Sequence, residues 1–201
     1  MDIAVLASGS GTNLQALVDS PVIRPHIAVV VADNPEAMAL ERAARAGIET
    51  EVVRWQDHDD RTAFSSAVAE VVSRHGGDGV VLAGFMRVLD PVFIDRFPNR
   101  ILNIHPSLLP AFPGSSAVEA AINHSVKVTG VTVHFVDEKV DNGPIIAQVP
   151  VEVLDDDTVD TLHRRIQVEE HRLYPKVVEA FVAGQLEVVG RTVVTRAGAV
   201  R

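Results

Sequence analysis

Two polar residues set two apart at the end of an apolar run carry the first chemistry in this sequence. In Ile101-Leu102-Asn103-Ile104-His105-Pro106, a strand would put Asn103 and His105 on one face, because alternate side chains share a side. Pro106 has no N–H to offer the ladder and ends the strand. An amide and a titratable imidazole then stand together at a strand's carboxyl end, where open α/β sheets bind ligands. Read alone, the pair fits a buried Asn and His satisfied by backbone partners equally well.

A second stretch concerns anions. The apolar run 3–7 breaks into Ser8-Gly9-Ser10-Gly11-Thr12-Asn13, and Leu14, Leu17 and Val18 follow at helical spacing. Strand, glycine loop and helix in that order aim backbone N–H groups and the helix's positive end at the edge of the sheet. The loop lacks the Lys of a P-loop, and Leu14 replaces the last Gly of a dinucleotide fingerprint. It therefore suits a terminal phosphate monoester, although an ordinary tight turn is the commoner role of such a loop. Arg61 falls in the first turn of a helix, where the dipole disfavours a cation. Gly84-Phe85-Met86 after a strand suits either the wall of a ring-binding pocket or plain apolar packing.

Composition narrows the classes. At 201 residues the chain is long enough for one domain with a sizeable core. A formal charge of −9 without an offsetting basic run argues against nucleic acid and membrane surfaces. With no cysteine, disulfides, thiol catalysis and thiolate metal sites are excluded. The N-terminus has no basic leader and no stretch approaches a membrane span, so a soluble cytoplasmic protein is expected.

The elements that position these residues follow from periodicity and punctuation. Strands are expected at 3–7, 26–32, 48–53, 80–83 and 101–105, with helices between them. Asn34 is the expected cap and Pro35 the first residue of a helix to 46; Asp59-Asp60 opens another to about 75, and Asp90-Pro91 a short one. Such βα steps predict an α/β fold with a doubly wound, mostly parallel sheet. After a helix at 116–123 the grammar changes: runs 128–136 and 144–153 read as antiparallel additions toward the C-terminus. Asp157 is the expected cap of a long helix, 158–183, and a hairpin at 187–189 and 192–195 leaves a short frayed tail.

Taken together, the motifs Ser8-Gly-x-Gly-Thr-Asn13, Leu82-Ala-Gly-Phe-Met-Arg87, Asn103-Ile-His-Pro-Ser-Leu-Leu-Pro110, Pro113-Gly114, Val131-Thr-Val-His-Phe-Val136 and Asp141-Asn-Gly-Pro-Ile145 resemble the phosphoribosylglycinamide formyltransferase family. These are the folate-dependent glycinamide ribonucleotide transformylases of purine synthesis. The resemblance runs from residue 2 to about 190 and implies a single Rossmann-like formyltransferase domain over 1–201. Residues 1–100 would form its nucleotide-phosphate side, and 101–201 would hold the catalytic strand, the folate loop and the long helix.

Carried over position by position, the resemblance implies that Gly11, Thr12 and Asn13 hold the substrate phosphate and that Gln167 and Glu170 bind the ribonucleotide. Met86, Arg87, Val88 and Leu89, with Asp137, Glu138, Lys139 and Val140, would line the pocket for 10-formyltetrahydrofolate, and Arg61 would contact that co-substrate. Asn103, His105 and Asp141 would be catalytic. A primary amine would attack the formyl carbon, and Asn103 and a protonated His105 would donate to the oxygen that gains charge. Asp141 would favour the imidazolium and position a water that relays the proton. No metal and no covalent intermediate are needed, and the working unit would be a monomer or homodimer.

One position departs from the pattern. Where many members carry a His two residues after the Pro-Gly pair, this chain has Ser116, which supplies no cation. His134 fits a supporting role or a satisfied core position equally well; His163 and His171 read as surface or packing residues. Formyltetrahydrofolate deformylases share the Asn/His/Asp set but usually carry an N-terminal regulatory domain, for which a loop starting at residue 8 leaves no room. Methionyl-tRNA formyltransferases would need a basic RNA-binding extension. A non-catalytic nucleotide-binding module would require that Asn103, His105 and Asp141 never meet.

Overall fold

In the computed structural model, which describes residues 1–196, the apolar runs assemble into one seven-stranded sheet with helices on both faces. The elements are β1 (Ile3–Ala7), α1 (Thr12–Val18), β2 (Ile27–Ala32), α2 (Met38–Arg45), β3 (Thr50–Val52), α3 (Arg61–Arg74), β4 (Gly79–Leu82), α4 (Pro91–Arg96) and β5 (Ile101–His105). They continue with α5 (Ala117–Asn123), β6 (Val128–Phe135), β7 (Ile145–Glu152), α6 (Val159–Val182) and the hairpin β8 (Leu186–Val189) and β9 (Thr192–Thr195). The order across the sheet is β3-β2-β1-β4-β5-β6-β7. Strands β1 to β5 pair in parallel, and β6 and β7 join antiparallel. The doubly wound sheet with antiparallel additions is thus observed.

Strand alternation builds the two cores. Ile3, Val5 and Ala7 of β1 pack with Leu14, Leu17, Leu162, Tyr174 and Phe181 on one face. Ala4 and Leu6 point the other way, into a cluster with Phe64, Val68, Val72, Phe93 and Phe97. A strand apolar on both sides is what a sheet covered by helices on both faces requires. Chain direction reverses between β1 and β4, since β2 and β3 extend one way and β5 the other. That switch point opens a crevice at the carboxyl ends of the strands. The glycine loop after β1 and the Gly84 turn after β4 face each other across it, joined by the Ser8 N–H donating to the Gly84 carbonyl at 3.1 Å.

Helix α6 closes one side. Tyr174 is fully buried and its hydroxyl donates to the Leu82 carbonyl at 2.8 Å, tying the helix to the head of β4. Burial first, and the Glu170 carboxylate second, push its phenol well above the usual range, so it remains an O–H donor.

Several expected boundaries move. Helix α2 starts at Met38 with Ala37 as its cap, not at Pro35. The Asn34 side chain instead accepts the Glu36 N–H at 3.0 Å, which makes a turn. That turn brings Ala39 under the glycine loop, where its N–H donates to the Gly9 carbonyl at 3.2 Å. The cap of α6 is Thr158, one residue after the expected Asp157. Asp157 is drawn off by the Leu154 N–H at 2.7 Å and by Arg165, whose Nη2 donates to it at 2.6 Å. The third strand shrinks to Thr50–Val52. Asp60 caps α3 and Asp90 caps α4 as expected. The tail after residue 195 falls almost entirely outside the described residues.

Candidate active site

Strand β5 delivers its two polar residues to one spot. Ile101 joins the core cluster beneath α3 and α4, whereas Leu102 joins the opposite one, so Asn103 and His105 share the α3/α4 side at the strand's end. The antiparallel register then sets His134 opposite Asn103 and Thr132 opposite His105. Thr132 organises the loop that follows β5: its hydroxyl donates to the Ser107 carbonyl at 2.6 Å and accepts the Leu109 N–H at 3.0 Å. The loop returns the Phe112 carbonyl and the Gly114 N–H to the head of β5.

Asp141 meets the strand residues here. Its Oδ2 accepts the Gly114 N–H at 2.7 Å and lies 3.4 Å from His105 Nδ1, while Oδ1 lies 3.4 Å from Asn103 Nδ2. On the far side of the ring, His105 Nε2 donates to the Phe112 carbonyl at 2.8 Å. Both ring nitrogens face acceptors, and only an imidazolium donates from both. His134 Nδ1 donates to the Phe135 carbonyl at 2.8 Å, and its Nε2 lies 3.2 Å from Asn103 Nδ2 and 3.7 Å from Asp141 Oδ1. The shorter contact makes His134 chiefly the acceptor that orients the Asn103 amide. Burial on its own pushes the Asp141 carboxyl up. The His134 ring, the Gly114 N–H and positive charge on the two histidines outweigh that and hold it below its ordinary range.

The cleft above this cluster has a volume of about 240 Å³ and is lined by Met86, Arg87, Val88 and Leu89 on one side and by 136–141 on the other, with Asn103, His105 and Asp141 among its lining residues. Met86, Val88 and Val140 expose more than half of their surface around it, an apolar rim of the kind that takes a flat ring. The 137–142 loop is laced by Asp137, which accepts from the Lys139 N–H at 3.0 Å and Asn142 Nδ2 at 2.9 Å. Ser115 also lines the cleft; Ser116 is the residue before α5 and makes no capping bond with its side chain. Arg61 is not among the lining residues, and its Nε donates to Asp90 at 3.3 Å instead.

The glycine loop adjoins the cleft wall, with the Met86 N–H donating to Ser8 Oγ at 2.9 Å. Gly11 caps α1 at φ 69°, and a Cβ there would lie 2.7 Å from the Ala39 Cα, so only glycine fits. Asn13 Nδ2 donates to Glu170 Oε2 at 3.0 Å across the space between α1 and α6, and the buried Asn13 Oδ1 has no partner. Gln167 stands one turn before Glu170 on the same face of α6. Thr12, Asn13, Gln167 and Glu170 therefore gather at one side of the crevice, and the Asn/His/Asp cluster lies at the other. Among the described residues no group of three or more His, Asp or Glu side chains is placed to hold a metal ion, and no helix is long and apolar enough to cross a membrane.

Sequence reasoning left His134 between two roles, and strand pairing decides it, since only the register puts it against Asn103. The Phe112 carbonyl and Gly114 N–H carry no side-chain signal at all.

The formyl transferase family signature matches residues 1–178. A phosphoribosylglycinamide formyltransferase of Mycobacterium tuberculosis is 48% identical over 191 residues, which span 94% of this chain and 89% of that protein. The Escherichia coli phosphoribosylglycinamide formyltransferase is 40% identical over 190 residues, covering 93% and 90%. The crystal structure of glycinamide ribonucleotide transformylase 1 from Symbiobacterium toebii superposes with a TM-score of 0.93 at 50% identity, over 97% of this chain and 93% of that one. With a likeness this dense from the glycine loop through α6, the chain belongs to the phosphoribosylglycinamide formyltransferase family.

Proposed function

We propose that the chain transfers the formyl group of 10-formyltetrahydrofolate to the amine of glycinamide ribonucleotide. The observation that carries the reading is the convergence of Asn103, His105 and Asp141, with contacts of 3.4 Å between Asp141 and each of the others, beside an apolar-rimmed cleft next to a glycine loop. Gly11, Thr12 and Asn13 with Gln167 and Glu170 bind the ribonucleotide, and the buried Glu170 suits ribose hydroxyls. The cleft takes the folate ring against Met86 to Leu89, with 137–140 opposite.

The contacts also say which donors are available. Asn103 Nδ2 is held only at 3.2 and 3.4 Å, longer than a full hydrogen bond, so it turns to an incoming oxygen at little cost. His105 keeps its 2.8 Å bond to Phe112 and offers Nδ1, whose contact with Asp141 is looser at 3.4 Å. As the amine attacks, these two donors meet the charge gathering on the formyl oxygen, each worth about 2.7–4 kcal/mol. Asp141, ionised across the neutral range, orients His105 and a water that carries the proton from the amine toward the leaving nitrogen.

The test is formyl transfer measured with and without glycinamide ribonucleotide. Folate released only in its presence supports the transferase; release without it would mean that water is the acceptor, as in a deformylase. Silence in both would return the fold to a binding role.

A further inference from the structure

We infer that Asp33, which lies outside the cleft, is a positioning residue for the formyl-donor site and acts through Arg87; the inference rests on the reading of the cleft given above. Asp33 follows the last residue of β2, and its side chain is only 4% exposed. Oδ2 accepts from Arg87 Nε at 2.6 Å, and the buried Oδ1 has no hydrogen-bond partner. A buried carboxylate served by one ion pair is a poor way to gain stability, since desolvation consumes much of the attraction. What it holds is the more informative question.

Arg87 sits in the middle of the cleft wall and is 39% exposed. Its guanidinium carbon lies 5.4 Å from the centroid of the Trp55 ring, so the group is held between a carboxylate and an indole. Its wall neighbours Met86 and Val88 are 69% and 51% exposed, and too little of either is packed to fix the wall by itself. The backbone ties of this segment are at its two ends, Met86 N–H to Ser8 Oγ at 2.9 Å and Asp90 N–H to Ser65 Oγ at 2.9 Å. Between them the side-chain tie is Arg87 to Asp33. Without the carboxylate, the guanidinium is released beside a cleft of about 240 Å³ and competes for the donor's space. Asp33 has no hydrogen bond or ion pair with Asn103, His105, Asp141 or Glu170, so turnover by a saturated enzyme should be spared.

The experiment is a double-mutant cycle of Asp33→Asn and Arg87→Ala, read by steady-state kinetics and by fluorescence of Trp55, the one tryptophan in the chain. Asp33→Asn should raise the donor KM roughly tenfold, within the range for directly contacting pairs. The kcat and the ribonucleotide KM should stay within about twofold. In the Arg87→Ala background the same substitution should add nothing to the donor KM, which a merely structural role would not produce. Trp55 emission without ligand should change alike in both single variants. Additive effects, an equal rise in the ribonucleotide KM, or an unchanged emission in Asp33→Asn would each overturn the inference. The emission needs no turnover, so a wild-type protein without transferase activity would refute the proposed function while the hold of Asp33 on Arg87 is still decided. Should Asp33→Asn fold poorly, Trp55→Leu removes the other half of the clamp at a partly exposed position. It should also raise the donor KM selectively, and an unchanged donor KM there counts against the inference.

Discussion

Replacing Asn103 by Leu separates catalysis from stability, and the distances set both magnitudes. The side chain contributes two contacts, 3.2 Å to His134 Nε2 and 3.4 Å to Asp141 Oδ1, both beyond the usual 2.9–3.0 Å for such bonds. Neither partner is orphaned by the change: Asp141 keeps the Gly114 N–H at 2.7 Å, and His134 keeps the Phe135 carbonyl at 2.8 Å. A full hydrogen bond is worth about 0.5–1.5 kcal/mol net, so two stretched ones together cost about 1 kcal/mol. For a chain of this size that lowers Tm by about 2–4 °C. The kinetic cost is of another order. Losing one donor to a developing oxyanion lowers kcat by about 10²–10³-fold. The assay is formyl transfer at saturating 10-formyltetrahydrofolate and ribonucleotide, paired with a thermal melt. A kcat within about tenfold of wild type, less than 1.4 kcal/mol on the barrier, would refute the assignment of Asn103 as an oxyanion donor.

Three further outcomes are expected. His105→Ala should abolish transfer and leave ribonucleotide binding by titration calorimetry nearly intact; loss of that binding would make His105 a binding residue instead. Gly11→Ala forces a Cβ to 2.7 Å from the Ala39 Cα at φ 69°, so it should cost more than about 1 kcal/mol in a denaturant melt and weaken ribonucleotide binding. Wild-type affinity and stability in that variant would show that the loop relaxes freely. The folded pKa of Asp141 lies below its ordinary 3.8. Its contribution to stability is therefore complete above that value and is lost as pH falls through the folded pKa. Asp141→Asn should remove this part of the acid dependence of the unfolding midpoint, and identical profiles below pH 4 would contradict the assignment.

Much of this molecule is legible in its sequence because its punctuation is local. Apolar runs of five or six residues ended by Gly, Pro or Asp mark β1, β2, β4 and β5, and Asp60 and Asp90 announce their helices. The signals failed where a side chain had a second suitor. Asn34 satisfies Glu36 and builds a turn, and Asp157 takes Leu154 and Arg165, leaving Thr158 to cap α6. The pairing of Asn103 with His105 follows from strand alternation alone. The meeting of Asn13 with Glu170 spans 157 residues, and that of Arg87 with Asp33 spans 54. Neither has a local signature, because each depends on how β1, β2, β4 and α6 are ordered in space. The Phe112 carbonyl beside His105 is backbone, which residue type does not report.

Ser8 belongs to two neighbourhoods at once. Its N–H donates to Gly84 and its hydroxyl accepts from Met86, so the loop that meets the nucleotide and the wall that meets the folate share one residue. Any ligand that steadies one side has already met part of the ordering cost of the other. The two substrates should therefore bind with positive cooperativity, and by linkage each must tighten the other by the same factor. Measuring a folate analogue's Kd with and without ribonucleotide, in wild type and in Ser8→Ala, reads that factor directly. If the substitution leaves it unchanged, the two halves of the site communicate by some other route.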